Sequence, residues 1–141
     1  MREILFKAKS VYDGKWVEGY YLRDQYHIGG KDIIFYRKDS DLFTVYTNII
    51  DIETLCQFTG LTDKNGKKIW ENDIVNHNGE YAPVKFGMYC SSFDYGSYNF
   101  GFYVDFPEET FYRKELGYWH RKIETAGNVF DNPELLQEEH K

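Results

Sequence analysis

Residues 57–75 read QFTGLTDKNGKKIWENDIV, a short β-rich stretch with two sharp corners. Asn65-Gly66 is a strong turn signal, because both residues tolerate the left-handed backbone of a type I′ hairpin turn. Asn72-Asp73 stands just before Ile74-Val75, and asparagine readily adopts a positive φ. Two corners this close predict a small, strongly bent β-barrel.

The chain before this stretch alternates apolar runs with turn residues. Residues 3–8 and 15–22 flank Asp13-Gly14, which predicts a β-hairpin. Two more short strands are expected at residues 32–37 and 42–47, because polar or glycine-rich breaks bound them.

The chain after it continues the β pattern. Phe100, Phe102, Val104 and Phe106 recur at period two, which predicts one strand face turned to the core. Gly127 interrupts a later strand and predicts a bulge or close backbone packing. Asn132 and Pro133 then suit the N-cap and first position of a short C-terminal helix that packs back through Leu135 and Leu136.

Composition narrows the class of protein. The 141 residues fit one core, or one core with a small lobe, and the 19% aromatic content favours sheet. A net charge of -6 opposes general binding to nucleic acid or anionic membrane. The first residues lack a signal peptide's apolar stretch and no run could cross a bilayer, so a cytoplasmic protein is expected.

Residues capable of catalysis or metal binding do not form a recognisable motif. Glu71 with Asp73, and Glu108-Glu109, are more simply a turn cap and a solvated loop than general acids and bases. Cys56 and Cys90 share no metal or redox spacing and are expected to be reduced thiols. No phosphate-binding glycine loop is present. Metal spacing is also missing among the four histidines, which are His27, His77, His120 and His140. We therefore expect no catalytic, cofactor or metal site.

Three segments together resemble the YopX family of phage and prophage proteins. They are Arg2-Glu3-Ile4 with Phe6, residues 57–75, and residues 127–136, which read GNVFDNPELL. Residues 20–50 and 90–120 carry little of the likeness. The sequence departs from the family pattern at Asn72, where glycine is usual, and asparagine preserves the corner.

The resemblance implies a two-lobed β protein, encoded among phage genes and usually assembled into homo-oligomers. It carries no established activity, so it transfers no catalytic residue. The expected architecture is mainly β, with an N-terminal β-hairpin lobe at residues 1–55. A C-terminal SH3-like small β-barrel with a short C-terminal helix is expected at residues 56–141.

The leading functional hypothesis is a non-catalytic, oligomeric protein-interaction module. Tyr, Trp and Arg are enriched at the centres of protein interfaces, and this chain has more aromatic residues than one small core can bury. Trp70, Tyr118 and Trp119 are the predicted contact residues, and the partner is a second copy or another phage or host protein.

The alternative is a single-stranded nucleic-acid-binding protein. Aromatic and basic residues alternate near residues 111–122, and exposed aromatics beside cations can stack bases while neutralising phosphates. The residues that would do this are Tyr112, Arg113, Lys114, Trp119, Arg121 and Lys122.

Overall fold

The computed structural model describes residues 4–26, 30–90, 98–107, 110–111 and 113–137, and it is mainly β, as the sequence predicts. Its described part has one short α-helix, α1, at Leu116–Trp119 and 3-10 turns at Ile52–Thr54 and Pro133–Leu136. The strands in this part are β1 Phe6–Lys9, β2 Trp16–Asp24, β3 Lys31–Lys38, β4 Asp41–Ile49, β5 Cys56–Thr62, β6 Lys68–Trp70, β7 Asp73–His77, β8 Glu80–Tyr89, β9 Asn99–Val104 and β10 Glu124–Asn128.

The chain divides into two compact units, Met1–Phe58 and Thr59–Lys141. In the first unit the antiparallel strands follow the order β4-β3-β2-β1-β5. The predicted first hairpin is confirmed: Gly14 has a φ of 72°, and β1 pairs with β2 from Phe6 opposite Gly19 to Lys9 opposite Trp16. One face of the sheet forms this unit's core around Ala8, Ile34 and Ile50.

In the second unit β10, β7, β8 and β9 form an antiparallel sheet in that order. The unit's core lies on one face of this sheet, where Val84 and Val104 sit opposite each other and are covered by Leu116 and Trp119 of α1. The expected SH3-like barrel is not confirmed. Among the described strands β9 and β10 are the two open edges of the sheet, so no closed barrel forms.

The two predicted corners behave differently. Asn72 has the expected positive φ, 71°, and buried Asp73 accepts a hydrogen bond from the Trp70 amide at 2.9 Å, so the turn role of Asp73 is confirmed. At the other corner only Gly66 has a positive φ, 80°, so the type I′ geometry is wrong. The chain makes a wider turn there, which is closed by a hydrogen bond of 2.8 Å from the Asp63 amide to the Lys67 carbonyl.

The segment around Gly127 combines a bulge with close packing, as predicted. The pairing of β10 with β7 shifts register between Thr125 and Gly127. The side chain of Asn132 lies against Gly127 and accepts a hydrogen bond from the Asn128 amide at 3.1 Å. Asn132 and Pro133 hold the expected N-cap and first positions, but the Asn132 side chain makes no capping hydrogen bond, and the element that follows is a 3-10 turn instead of an α-helix.

Replacing Gly127 by alanine should lower the free energy of unfolding by about 1–2 kcal/mol, because the new methyl group displaces the Asn132 carboxamide and breaks its bond to Asn128. Chemical denaturation measures the change. Gly117→Ala is the matched control, since a Cβ at Gly117 meets open space. Equal stability of the two variants would contradict the packing role of Asn132.

Candidate interaction surfaces

The sheet of the first unit carries apolar side chains on both faces. Antiparallel sheets commonly place polar side chains on the face that meets water. Here the face opposite the core carries six apolar side chains, which we call the outer apolar face. They are Tyr20, Leu22, Ile33, Phe35, Val45 and Ile49.

Strand register arranges these side chains in two rows on β2 and β3, one of which continues to Ile49 of β4. In the other row the β4 residue opposite Phe35 is Thr47, and Val45 shares the face of Thr47 by strand alternation. Tyr20 lies opposite Phe35, with ring centroids 5.6 Å apart, and Leu22 lies opposite Ile33, which in turn lies opposite Ile49. Tyr20 and Leu22 are each about half exposed. A contiguous exposed apolar face of this kind is typical of a binding surface.

Sequence reasoning missed the outer apolar face, although β3 carried a signal for it. The run Ile33-Ile34-Phe35-Tyr36 is apolar without alternation, which is the pattern of a strand covered on both faces. Ile34 turns inward and is fully buried, while Ile33 and Phe35 turn outward. The run predicted a strand correctly, and its lack of alternation indicated a second contact surface.

The second unit also has exposed apolar side chains, on the paired strands β8 and β9. Met88 lies opposite Phe100, and Phe86 lies opposite Phe102, on the same face as the buried Val104. The predicted core face is right for Val104 and Phe106, and Phe102 packs against the core, but it is wrong for Phe100, which is 71% exposed.

Of the three predicted partner-contact residues, the structure places two in the core. Trp70 and Trp119 are only 5% and 4% exposed. The Trp119 ring packs against Phe106 and Phe111, and its Nε1 donates to the Arg113 carbonyl at 2.8 Å. Tyr118 is at the surface, and its role as a contact residue stays a prediction.

The predicted nucleic-acid residues are spread between surface and interior. Arg113 and Lys122 lie over the Tyr118 ring, with the Arg113 guanidinium carbon 4.4 Å and the Lys122 Nζ 5.0 Å from its centroid. Lys114 is buried, with its Nζ 3.3 Å from Asp105, and Arg121 is exposed. Tyr112 lies outside the described residues.

Ion pairs in this region lower the pKa values of two carboxyls. Burial raises the pKa of Asp105, but the bonds from Lys85 and Lys114 outweigh burial and hold that pKa below its ordinary value. Burial also opposes ionisation of Glu115, and the Arg113 guanidinium outweighs it, so this pKa is lowered too. Lys114 and Arg113 thus already face carboxylates of their own chain.

A groove of about 680 Å³ lies between the start of β8 and the terminal 3-10 turn. Tyr81 and Pro83 line the groove from β8, and Leu135 and Leu136 line it from the turn. The turn lies beside β8 as expected, but neither leucine is buried, so the predicted packing through them is not confirmed. Within the described residues, no three His, Cys, Asp or Glu side chains gather in a metal-binding arrangement. Glu108-Glu109, His27 and His140 lie outside those residues.

The histidines and cysteines of the described segments have local partners. His77 packs edge-on against Phe111 and Trp119, and its Nδ1 donates to the Lys122 carbonyl at 3.1 Å. Both cysteines are free thiols, with Cys56 buried. These groups fit structural roles.

Comparison with known proteins gives one family. The family model described as YopX protein matches residues 5–137, nearly the whole chain. The chain belongs to the YopX family. The predicted resemblance to this family is therefore confirmed, although Arg2-Glu3-Ile4 lies outside the matched residues.

A solved structure supports the same fold for this YopX-family chain. The crystal structure of protein EF1440 from Enterococcus faecalis is 20% identical, with a TM-score of 0.50, and the match covers 97% of this chain and 100% of that one. No curated protein matches the sequence. In the described part of the chain, no helix has the length and apolar character to span a membrane.

Proposed function

We propose that this YopX-family chain is a cytoplasmic phage or prophage accessory protein that works without catalysis, as a protein-interaction module assembled from copies of itself. The outer apolar face carries the proposal. Its side chains form an ordered apolar surface on strands β2 to β4. Exposing such a surface to water is unfavourable, so a partner that covers it lowers the free energy.

A second copy is the occupant best suited to this face. Two-fold pairing places the same patch of both subunits in contact, so an apolar surface is its own complement. β4 is an open edge in the first unit's strand order, and it carries no charge between Leu42 and Ile49. Edge strands that avoid pairing usually carry lysine or proline, and β4 has neither.

The variant Val45→Lys tests the proposal. An interfacial lysine would be buried without a partner, so association should weaken by at least about tenfold. Size-exclusion chromatography with light scattering should show a multiple of 16.8 kDa for the wild type and a shift toward 16.8 kDa for the variant.

Val11→Lys is the matched control, because Val45 and Val11 are 48% and 53% exposed and only Val45 lies on the outer apolar face. The control should keep the wild-type mass. A wild-type protein that stays at 16.8 kDa at high concentration, or equal effects of both lysines, would contradict assembly through this face.

A further inference from the structure

Two segments far apart in the chain meet at one corner of the second unit. The Lys64 amide donates to the Ile123 carbonyl at 3.1 Å, and His120 Nδ1 donates to the Thr62 carbonyl at 2.9 Å. The Thr125 amide also donates to the Asp63 carboxylate, at 2.9 Å. These bonds fix the β5–β6 turn directly beside the 120–125 segment.

Positive charge is concentrated where these two segments adjoin, although the protein as a whole is acidic. Lys64 and Lys67 lie on the turn, and Arg121 and Lys122 lie on the adjoining segment, all four exposed. We call these four residues the basic corner. The whole chain has 17 Lys and Arg against 23 Asp and Glu, so the corner opposes the overall charge.

The nearby carboxylates are hydrogen-bonded to amide groups and not to these four cations. Asp63 is buried, and its oxygens accept hydrogen bonds from the Asn65, Lys67 and Thr125 amides, so it faces inward. The Glu124 carboxylate accepts from the side chain of Asn76 at 3.3 Å. Both carboxylates keep their negative charge, but neither forms an ion pair with the side chains of the four exposed cations.

We propose that the basic corner binds the phosphate backbone of nucleic acid, a function separate from self-assembly. Lysine and arginine neutralise phosphates and release condensed counterions, which supplies most of sequence-independent binding. Charge complementarity favours this polyanion, because four cations on two adjoining segments can meet successive phosphates. The negative remainder of the surface confines binding to the corner.

Base stacking has little part in this site. The Tyr118 ring is already in contact with the cations of Arg113 and Lys122, and Trp119 is buried. Contacts to phosphates rather than bases predict binding without sequence preference and with strong dependence on salt.

Fluorescence anisotropy with a labelled oligothymidine strand of about 30 nucleotides tests the site, with a labelled duplex of the same length as a second arm. Four phosphate contacts on a single strand predict roughly fiftyfold weaker binding at 200 mM salt than at 50 mM. The probe that binds more tightly shows whether the site prefers single-stranded or double-stranded nucleic acid. Binding of either probe at the basic corner supports the proposal.

The double variant Lys64→Glu with Arg121→Glu should weaken binding by at least about tenfold. Lys15→Glu with Lys38→Glu is the matched control, because it makes the same change in net charge at exposed positions of the first unit outside the outer apolar face. Its affinity should stay within about threefold of the wild type. Circular dichroism establishes that both variants are folded.

Three results would overturn the proposal. One is a wild type that binds neither probe at low salt, and another is an equal loss of affinity in both double variants. The third is tighter binding of a labelled oligoglutamate peptide than of either nucleic acid, which would assign the corner to an acidic protein. None of these bears on the mass of the assembly, so this test and the Val45→Lys test succeed or fail separately.

Discussion

Replacing Trp119 by alanine should lower the free energy of unfolding by about 3–5 kcal/mol, because it removes a large buried ring and leaves a cavity. Its ring centroid lies 5.0 Å from that of Phe106 and 4.9 Å from that of Phe111. The change also leaves the Arg113 carbonyl without the indole donor that reaches it at 2.8 Å. Each of these losses falls on the core of the second unit.

Urea denaturation of Trp119→Ala measures this cost, and Tyr118→Ala is the control. The two aromatic residues are neighbours in α1, but only Tyr118 is exposed, so its truncation should cost about 1 kcal/mol or less. If Trp119→Ala kept full stability and instead weakened self-association, Trp119 would act as the partner contact that the sequence predicts, and its place in the core would be wrong.

Local conformation was the part of the fold most open to sequence reasoning. Asn72 was predicted to adopt a positive φ because of its residue type and its place before Asp-Ile-Val, and its φ is 71°. The Asn65-Gly66 turn was placed correctly but given the wrong type. Its width is set by the Asp63 carboxylate, which binds two turn amides and Thr125, and a pattern of adjacent residues does not contain that distant partner.

Burial was harder to predict than strand position. The period-two pattern from Phe100 to Phe106 found β9 and its inward face, but only the end near Val104 is covered by α1. A repeating pattern tells which residues share a face and says nothing about how far the covering element reaches. Phe100 is exposed for this reason, and Trp70 and Trp119 are buried although their residue type suggested contact positions.

Surfaces built from distant segments could not be predicted from the sequence. The basic and aromatic residues at 111–122 were noticed as neighbours in the chain, yet Lys114 is buried and paired with Asp105. Lys64 and Lys67 lie beside Arg121 and Lys122 because of hydrogen bonds between residues that are separated in sequence by more than half of the second unit. Only the paired register of the folded chain brings such charges together.

The Asp63 carboxylate holds the β5–β6 turn on β10. Its Oδ1 accepts from the Asn65 and Lys67 amides at 2.9 and 3.0 Å, and its Oδ2 accepts from the Thr125 amide and hydroxyl at 2.9 and 3.1 Å. Burial opposes ionisation, but these donors outweigh it and hold the pKa of Asp63 below its ordinary value. Ionised Asp63 is therefore more stable in the folded state than in the unfolded chain.

Asp63→Asn should lower the free energy of unfolding by about 2–4 kcal/mol at neutral pH. Both oxygens of Asp63 accept hydrogen bonds, and in asparagine one of them is replaced by an NH2 group, which cannot accept. The wild type's advantage depends on the ionised carboxylate. It is fully present above the unfolded pKa of about 3.9 and is lost as the pH falls through the lower folded pKa. The stability difference between the two proteins should therefore be constant from neutral pH to about pH 5 and shrink below pH 4.

Urea denaturation of both proteins across this pH range measures the effect, and Asp51→Asn is the matched control. Asp51 is exposed and accepts from the Glu53 amide at 3.1 Å as the N-cap of a 3-10 turn, a role that asparagine fills equally well. The control should change stability by about 0.5 kcal/mol or less at every pH. If Asp63→Asn behaved like Asp51→Asn, the turn would be held by its backbone bonds alone. The basic corner would then keep its geometry without the buried carboxylate, since Lys64 is still bonded to Ile123 through the main chain.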